Sequence, residues 1–227
     1  MICIVQARMS SLRLPNKVLI KIYKKTMLER VINSIKKSKK INKIIVATSN
    51  LKSDDKIQSF CKAKNIECYR GSINNVYSRF VKIIKDLNCK NFIRISGDSP
   101  LIDYKLIDQA INIFGKKKLD IVTNVFPRSF PQGQSVEVLN SKMFIKNFKK
   151  IKKKTHKEHI TKYFYENFKN FRITNFSFYK NYEHLNISIN NHTDLKFVKK
   201  IIKKTMNKDI RLKKLMVICK KLINEKK

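Results

Sequence analysis

The apolar positions of this chain follow two alternating patterns. Residues 1–5, 43–48 (KIIVAT), 66–69 and 91–95 are short apolar runs, each the length of one buried strand. Between them, apolar residues recur at helical spacing. Thr26 caps a predicted helix with Leu28, Val31, Ile32 and Ile35 on one face. Ser53, Asp54 and Asp55 open a second helix that runs to Ala63, with Ile57 and Phe60 facing inward. A third, predicted over 75–87, lines up Val76, Phe80, Val81, Ile84 and Leu87. Strand and helix alternate four times, which predicts an α/β fold with a mostly parallel sheet covered on both faces. No longer period repeats, so a solenoid is excluded.

Past Pro100 the pattern loosens. Residues 106–114 read as helix and 119–125 as strand. The stretch 126–134, FPRSFPQGQ, holds two of the four prolines and reads as a loop. Residues 135–139 then alternate as a strand, with Val136 and Val138 on one face. Lysine-rich helices are predicted over 141–151 and 156–168, and late strands over 172–179 and 184–189. From Asp194 to the end the chain reads as helical. The last helix carries a stripe of Leu212, Leu215, Met216, Cys219 and Leu222 that serves either the core or a dimer contact.

Composition narrows the class. At 227 residues and 42% hydrophobic content the chain reads as one domain, 1–227, with a substantial core. No apolar run nears the roughly 20 residues of a membrane span. Residues 1–5 are too short for a signal-peptide core. The five cysteines form no C-x-x-C pair and read as reduced side chains of a cytoplasmic protein. A formal charge of +36 invites a nucleic-acid reading. Yet 43 of the 52 cations are Lys, spread along the whole chain. That distribution fits the amino-acid bias of an AT-rich genome better than a built polyanion surface, so no specific nucleic-acid partner is expected.

The candidate chemistry starts where the first strand ends. Arg8, Ser10, Ser11, Arg13 and Lys17 stand on the loop that leaves it, closed by Pro15. In open α/β sheets ligands sit outside the carboxyl ends of strands. Three cations and two hydroxyls there suit a polyanion such as a triphosphate, although a solvated basic loop reads the same way. A second stretch, Ile93 to Ile102, places Asp98 after Gly97 at the end of the fourth strand. Asp98 either caps the helix beyond Pro100 or helps hold a metal ion.

Together these strings resemble the cytidylyltransferase family that makes CMP-activated acidic sugars, most closely its spore-coat-polysaccharide branch. A-R-x-x-S-x-R-L-P-x-K from Ala7 to Lys17 resembles the family's opening motif, with Asn16 where it usually has Gly. G-D-S-P-L-I from Gly97 resembles its magnesium segment. Arg70-Gly71-Ser72 and the following Arg79 resemble the nucleotide side, although Arg79 also reads as a surface helix cation. The resemblance implies a Rossmann-like three-layer sandwich of the nucleotide-diphospho-sugar transferase type with a mixed, mostly parallel sheet. It implies transfer of CMP from CTP to a small acidic or modified sugar, with Mg2+ as cofactor and dimers common among relatives.

The implied roles follow residue by residue. Arg8, Arg13 and Lys17 would be catalytic, and Ala7, Ser10, Ser11, Ser72 and Arg79 would complete the nucleotide site. Asn124, Gln132, Glu137 and His159 would meet the sugar, and Asp98 with Asn190 the metal. Two departures stand out. Asn190 replaces the family's second metal carboxylate, and Ser135 replaces the acid before Val136-Glu137. Both bear on metal-dependent turnover. The competing classes are a glycosyltransferase or another nucleotidyltransferase of the same fold, a non-catalytic relative, and a basic nucleic-acid-binding protein.

Overall fold

The computed structural model describes residues 1–116, 118–205 and 210–225. The elements run β1 Ile2–Gln6, β2 Lys21–Ile22, β3 Lys25–Thr26, α1 Met27–Ile35, β4 Lys43–Ser49, α2 Asp55–Ala63, β5 Glu67–Gly71, α3 Val76–Asp86, β6 Asn91–Ser96, α4 Tyr104–Lys116, β7 Ile121–Thr123, β8 Glu137–Asn140, α5 Ser141–Lys146, α6 Lys154–Glu158, α7 Lys162–Glu166, β9 Ile173–Asn175, α8 His192–Thr205 and α9 Leu212–Asn224. Among the described residues the main sheet has the order β5-β4-β1-β6-β8-β7-β9. Every neighbouring pair is parallel except the two that β8 makes, with β6 and with β7. The carboxyl ends of the other strands therefore share one edge with the amino end of β8, where Glu137 stands.

Alternation along the strands builds two cores. Cys3, Val5, Val46, Ile93 and Ile95 pack on one face with Val31, Ile32, Ile57, Ile107 and Leu215. Ile4, Ile45, Ala47 and Phe92 pack on the other with Phe80, Phe144 and Phe164. This period of two, with helices on each side, is the mixed, mostly parallel sandwich expected from the sequence. The stripe on α9 is buried in the chain's own core, which decides between the two readings of it.

Several expectations need correction. Residues 184–189 form no strand of the sheet: the segment leaves a turn at 183–184 and makes one isolated bridge, Gln132 with Asn186. Leu185, Ile187 and Ile189 alternate inward because the segment hydrogen-bonds to a loop, through Gln132 N to Leu185 O and Ile187 N to Gln132 O. The helices expected over 141–151 and 156–168 break into short pieces. The second breaks at His159, whose φ of −102° and ψ of 87° leave the helical region. The strands over 119–125 and 172–179 shrink to three residues each. The β2–β3 hairpin went unforeseen because its turn puts Tyr23, not Gly or Asn, at φ 56°. Of the helical run expected from Asp194, residues 206–209, 226 and 227 lie outside the described residues.

Candidate active site

The loop after β1 is held at both ends by buried groups. At its root, the Asp54 carboxylate accepts the Met9 amide (2.7 Å), together with the Ser49 amide and the Thr48 and Ser49 hydroxyls. Asp54 is fully buried. Burial alone would raise its pKa, but these donors outweigh it and leave the carboxyl below its ordinary value. At the far end Leu14 sinks into a small apolar cluster with Ile22, Met27, Ile189 and Leu195. Asn16 turns the chain with φ 59° and ψ 15°, a left-handed conformation that Asn accepts more readily than most residues. Between these anchors Ser10 and Arg13 stand exposed, while Arg8 and Ser11 are half-buried.

Lys17 is the residue the loop delivers. Its ammonium donates to Asp98 Oδ2 (3.0 Å), Asn190 Oδ1 (3.0 Å) and the Ile189 carbonyl (3.1 Å). Asp98 reaches this point because β6 lies beside β1. The Gly97 amide donates to Gln6 O at 2.9 Å, and a Cβ on Gly97 would come within 3.1 Å of Ala7 Cβ and Gln6 O. The other Asp98 oxygen accepts from Ser96 and Ser99. Asp98 is not the cap of the next helix. Asp103 does that work, accepting the Lys105 amide at 3.0 Å. Asn190 is fixed from behind by Asp194, which accepts its amide at 2.8 Å, while Asn191 and Asp194 cap the start of α8 reciprocally.

Other expected site residues are differently placed. Arg8 pairs with Glu158 at 3.0 Å, in the segment that also carries the exposed His159. Both side chains of that pair are about two-fifths exposed, so solvent screens it. Ser72 is exposed beside the end of β5. Arg79 is 2% exposed and donates to the carbonyls of Ala47 and Ser72. Burial lowers its pKa to about 10, which still leaves it charged at neutral pH. It is not the surface cation of one reading; it braces the backbone of Ala47 in β4 and of Ser72 beyond β5.

Of the residues expected to meet the sugar, Gln132 is exposed, but Asn124 and Glu137 are buried. Asn124 donates to Gln134 O and accepts from the Val136 amide, so it shapes the loop. Glu137 binds Arg94 at 3.0 Å and the Tyr165 hydroxyl. Both side chains are therefore buried and engaged by protein neighbours, where direct contact with a sugar was expected of them.

Sequence reasoning foresaw neither Arg94 and Tyr165 as the partners of Glu137 nor Asp54 as the anchor of the first loop. A charge inside the apolar strand I-R-I was a readable signal for Arg94. Asp54 was read only as a helix opener, although its carboxylate is turned inward to the first loop.

A parallel-led sheet whose first loop delivers a lysine to the aspartate ending a neighbouring strand defines the class as the nucleotidyltransferase fold. Comparison with known proteins gives the family. The cytidylyltransferase family model matches residues 2–222, and the chain belongs to that family. An uncharacterized protein of Methanocaldococcus jannaschii is 37% identical over 170 residues, spanning 75% of this chain and 69% of that protein. The spore coat polysaccharide biosynthesis protein SpsF of Bacillus subtilis is 31% identical over 166 residues, 70% of this chain and 68% of its own. The structure of a cytidylyltransferase from Leptospira borgpetersenii superposes with a TM-score of 0.93 at 27% identity, covering 98% of this chain and 94% of that one. A CMP:2-keto-3-deoxy-manno-octonic acid synthetase complexed with CTP shares the fold, at a TM-score of 0.68 and 13% identity over 89% of this chain and 98% of that one. Among the described residues no helix is long and apolar enough to cross a membrane.

Proposed function

We propose that this protein transfers CMP from CTP to a hydroxyl of an acidic or modified sugar, releasing pyrophosphate, as a cytoplasmic step in surface glycan synthesis. The observation that carries this reading is the meeting of Lys17, Asp98 and Asn190 at the ligand edge of the sheet. The likeness to the spore coat polysaccharide biosynthesis protein of Bacillus subtilis supports the polysaccharide setting.

In this reading the sugar hydroxyl oxygen attacks the α-phosphorus in line. The bond from that phosphorus to its bridging oxygen breaks, pyrophosphate departs with the electron pair, and the hydroxyl proton passes to solvent. The amides of Arg8 and Ser10 and the hydroxyls of Ser10 and Ser11 cradle the triphosphate, and Arg8, Arg13 and Lys17 offset its charge. No protein nucleophile is needed, because positioning and charge stabilisation carry phosphoryl transfer. To take this role Arg8 exchanges Glu158 for phosphate, and Lys17 turns from its oxygen partners toward the nucleotide.

The oxygens around Lys17 fit Mg2+. Asp98 Oδ2, Asn190 Oδ1 and the Ile189 carbonyl already converge on one cation, the ammonium. All are hard oxygen donors, with a single carboxylate among them, a set that Mg2+ completes with phosphate oxygens and water. Asp98 and Asn190 would hold the ion, which would supply positive charge to offset that of the triphosphate.

The test is pyrophosphate release from CTP with 3-deoxy-manno-octulosonate and a panel of nonulosonates, paired with thermal shifts for CTP, UTP and GTP. Release with CTP and the largest shift with CTP are expected. A larger shift with another nucleotide, or no release with any sugar acid, overturns the reading.

A further inference from the structure

Three stretches far apart in the sequence meet beside Asp98, and residues 185–190 form the seam between them. Gln132 N donates to Leu185 O at 2.8 Å and Ile187 N to Gln132 O at 2.9 Å, while Ile189 N donates to Asp98 O at 3.0 Å. Gln132 and Asp98 are therefore held by residues two apart on one segment, no more than about 7 Å of chain. The next residue of that segment is Asn190, whose Oδ1 joins Asp98 Oδ2 around the Lys17 ammonium. Gln132 is exposed, so its carboxamide is open to a ligand beside these oxygens.

Gln134, two positions on, turns the other way. It is fully buried, and both ends of its carboxamide are used. Its Oε1 accepts the Asp103 amide at 2.9 Å, its Nε2 donates to Leu101 O at 2.6 Å, and its own carbonyl accepts from Asn124 Nδ2 at 2.7 Å. The stretch it grips is itself pinned. Ser34 Oγ donates to Ile102 O at 2.6 Å, and the Asp103 carboxylate accepts the Lys105 and Leu212 amides near the starts of α4 and α9. Between the two glutamines Gly133 turns the chain at φ +96°, with its backbone against Ile187 and Ser188. The loop is thus attached on two sides, by backbone to residues 185–188 and by the Gln134 side chain to the stretch that follows Asp98. An apolar residue could fill the same space. A carboxamide does more, because its donor and acceptor fix two backbone groups at once.

We infer that Gln134 is a positioning residue of the proposed reaction: it sets the loop that carries Gln132 at a fixed distance from Asp98 and Asn190, so that a sugar held by that loop lies within reach of the α-phosphorus. This rests on the proposed function and deepens it, because it names what ties the acceptor side of the site to the oxygens around Lys17. Gln134 touches no substrate and acts through Gln132. Misplacing an acceptor by about 1 Å costs on the order of 10²-fold, so a tether of this kind is visible in kinetics.

The experiment is steady-state pyrophosphate release with CTP and the sugar acid that wild type uses best, for wild type, Gln134→Met and Gln134→Asn. Gln134→Met keeps the length and removes both hydrogen bonds. Gln134→Asn keeps the carboxamide on a stem too short to reach both partners. In Gln134→Met the KM for sugar should rise about tenfold and kcat/KM for sugar fall roughly 10- to 100-fold. The KM for CTP and the CMP dissociation constant from calorimetry should stay within about twofold, because the nucleotide loop lies on other segments. Gln134→Asn should fall between. A merely structural role would lower the folded fraction, and with it kcat, and leave both KM values alone. Hydrogen exchange gives a second readout: the Gln132 and Ile187 amides should exchange faster in the variants, while those of β1 and β4 keep wild-type rates. Should Gln134→Met fail to fold, Gln134→Asn decides, with a rise in sugar KM of about threefold or more expected.

An unchanged sugar KM in a folded variant, or equal shifts in both KM values, overturns the inference and leaves the proposed reaction standing. Faster exchange across β1 and β4 overturns it too, since the loss is then global. Failure of both variants to fold makes Gln134 a folding residue and has the same effect. No pyrophosphate release by wild type with any sugar overturns the proposed reaction and the inference with it.

Discussion

Replacing Lys17 by Met tests the centre of the site while keeping most of the side chain's bulk. The ammonium makes three hydrogen bonds, at 3.0, 3.0 and 3.1 Å, and the Lys17 and Asp98 side chains are 14% and 23% exposed. Losing a charge-assisted bond at a mostly buried pair costs roughly 1.5–3 kcal/mol, which the remaining water access reduces to about 1–2. Asp98 is not stranded by the change, because its Oδ1 keeps Ser96 at 2.7 Å. For a protein of this size each kcal/mol lowers Tm by about 2–4 °C, so a fall of roughly 2–8 °C is expected.

The catalytic effect should be larger. A preorganised donor aimed at charge that develops in the transition state is worth on the order of 10²–10³ in kcat, about 2.7–4 kcal/mol. At 25 °C a loss of 1–2 kcal/mol leaves a domain of ordinary stability folded, so the two effects separate. Steady-state pyrophosphate release with CTP measures one and thermal melts the other. Lys17→Arg should rescue little, because a planar fork does not place its charge where three oxygens meet at a point. An unchanged kcat/KM in folded Lys17→Met would refute the assignment of Lys17 to the reaction.

Three further outcomes are expected. Asn190→Asp adds a second carboxylate at the Lys17 cluster and should tighten Mg2+ by about tenfold, on the scale of changes to metal-site ligand shells; calorimetry in the presence of CTP would show it, and an unaltered Mg2+ titration removes Asn190 from the metal. Asp54→Asn turns an acceptor of four donors into a partial donor and should cost about 1–3 kcal/mol, or roughly 2–12 °C in Tm. Because the folded pKa of Asp54 lies below its ordinary 3.8, its contribution is complete above about pH 4 and fades as pH falls through the folded value. The wild-type advantage over Asp54→Asn should therefore shrink in acid melts, and a constant gap would reject this account. Gly133→Ala places a Cβ 2.7 Å from Ser188 N at φ +96°, backbone against backbone, and should lower stability by more than about 1 kcal/mol in urea melts; an unchanged midpoint would show that the loop yields.

The amino-acid sequence by itself determined the local decisions. Apolar runs and helical stripes placed β1, β4, β5 and β6 and the helices α1, α2 and α3 to within a residue or two, because each buries one face whatever its partners are. Thr26, capping α1 through the Glu29 amide, and Asn16, turning the basic loop, were likewise readable from single residues. Only the tertiary structure decided what depends on distant segments meeting. Residues 184–189 have the alternation of a strand, but their long-range backbone hydrogen bonds go to the loop at 132 and to Asp98 O, and no local pattern encodes that choice. Lys17 and Asn190 are separated by 173 positions, and their meeting depends on Leu14 and Ile189 entering the same apolar cluster.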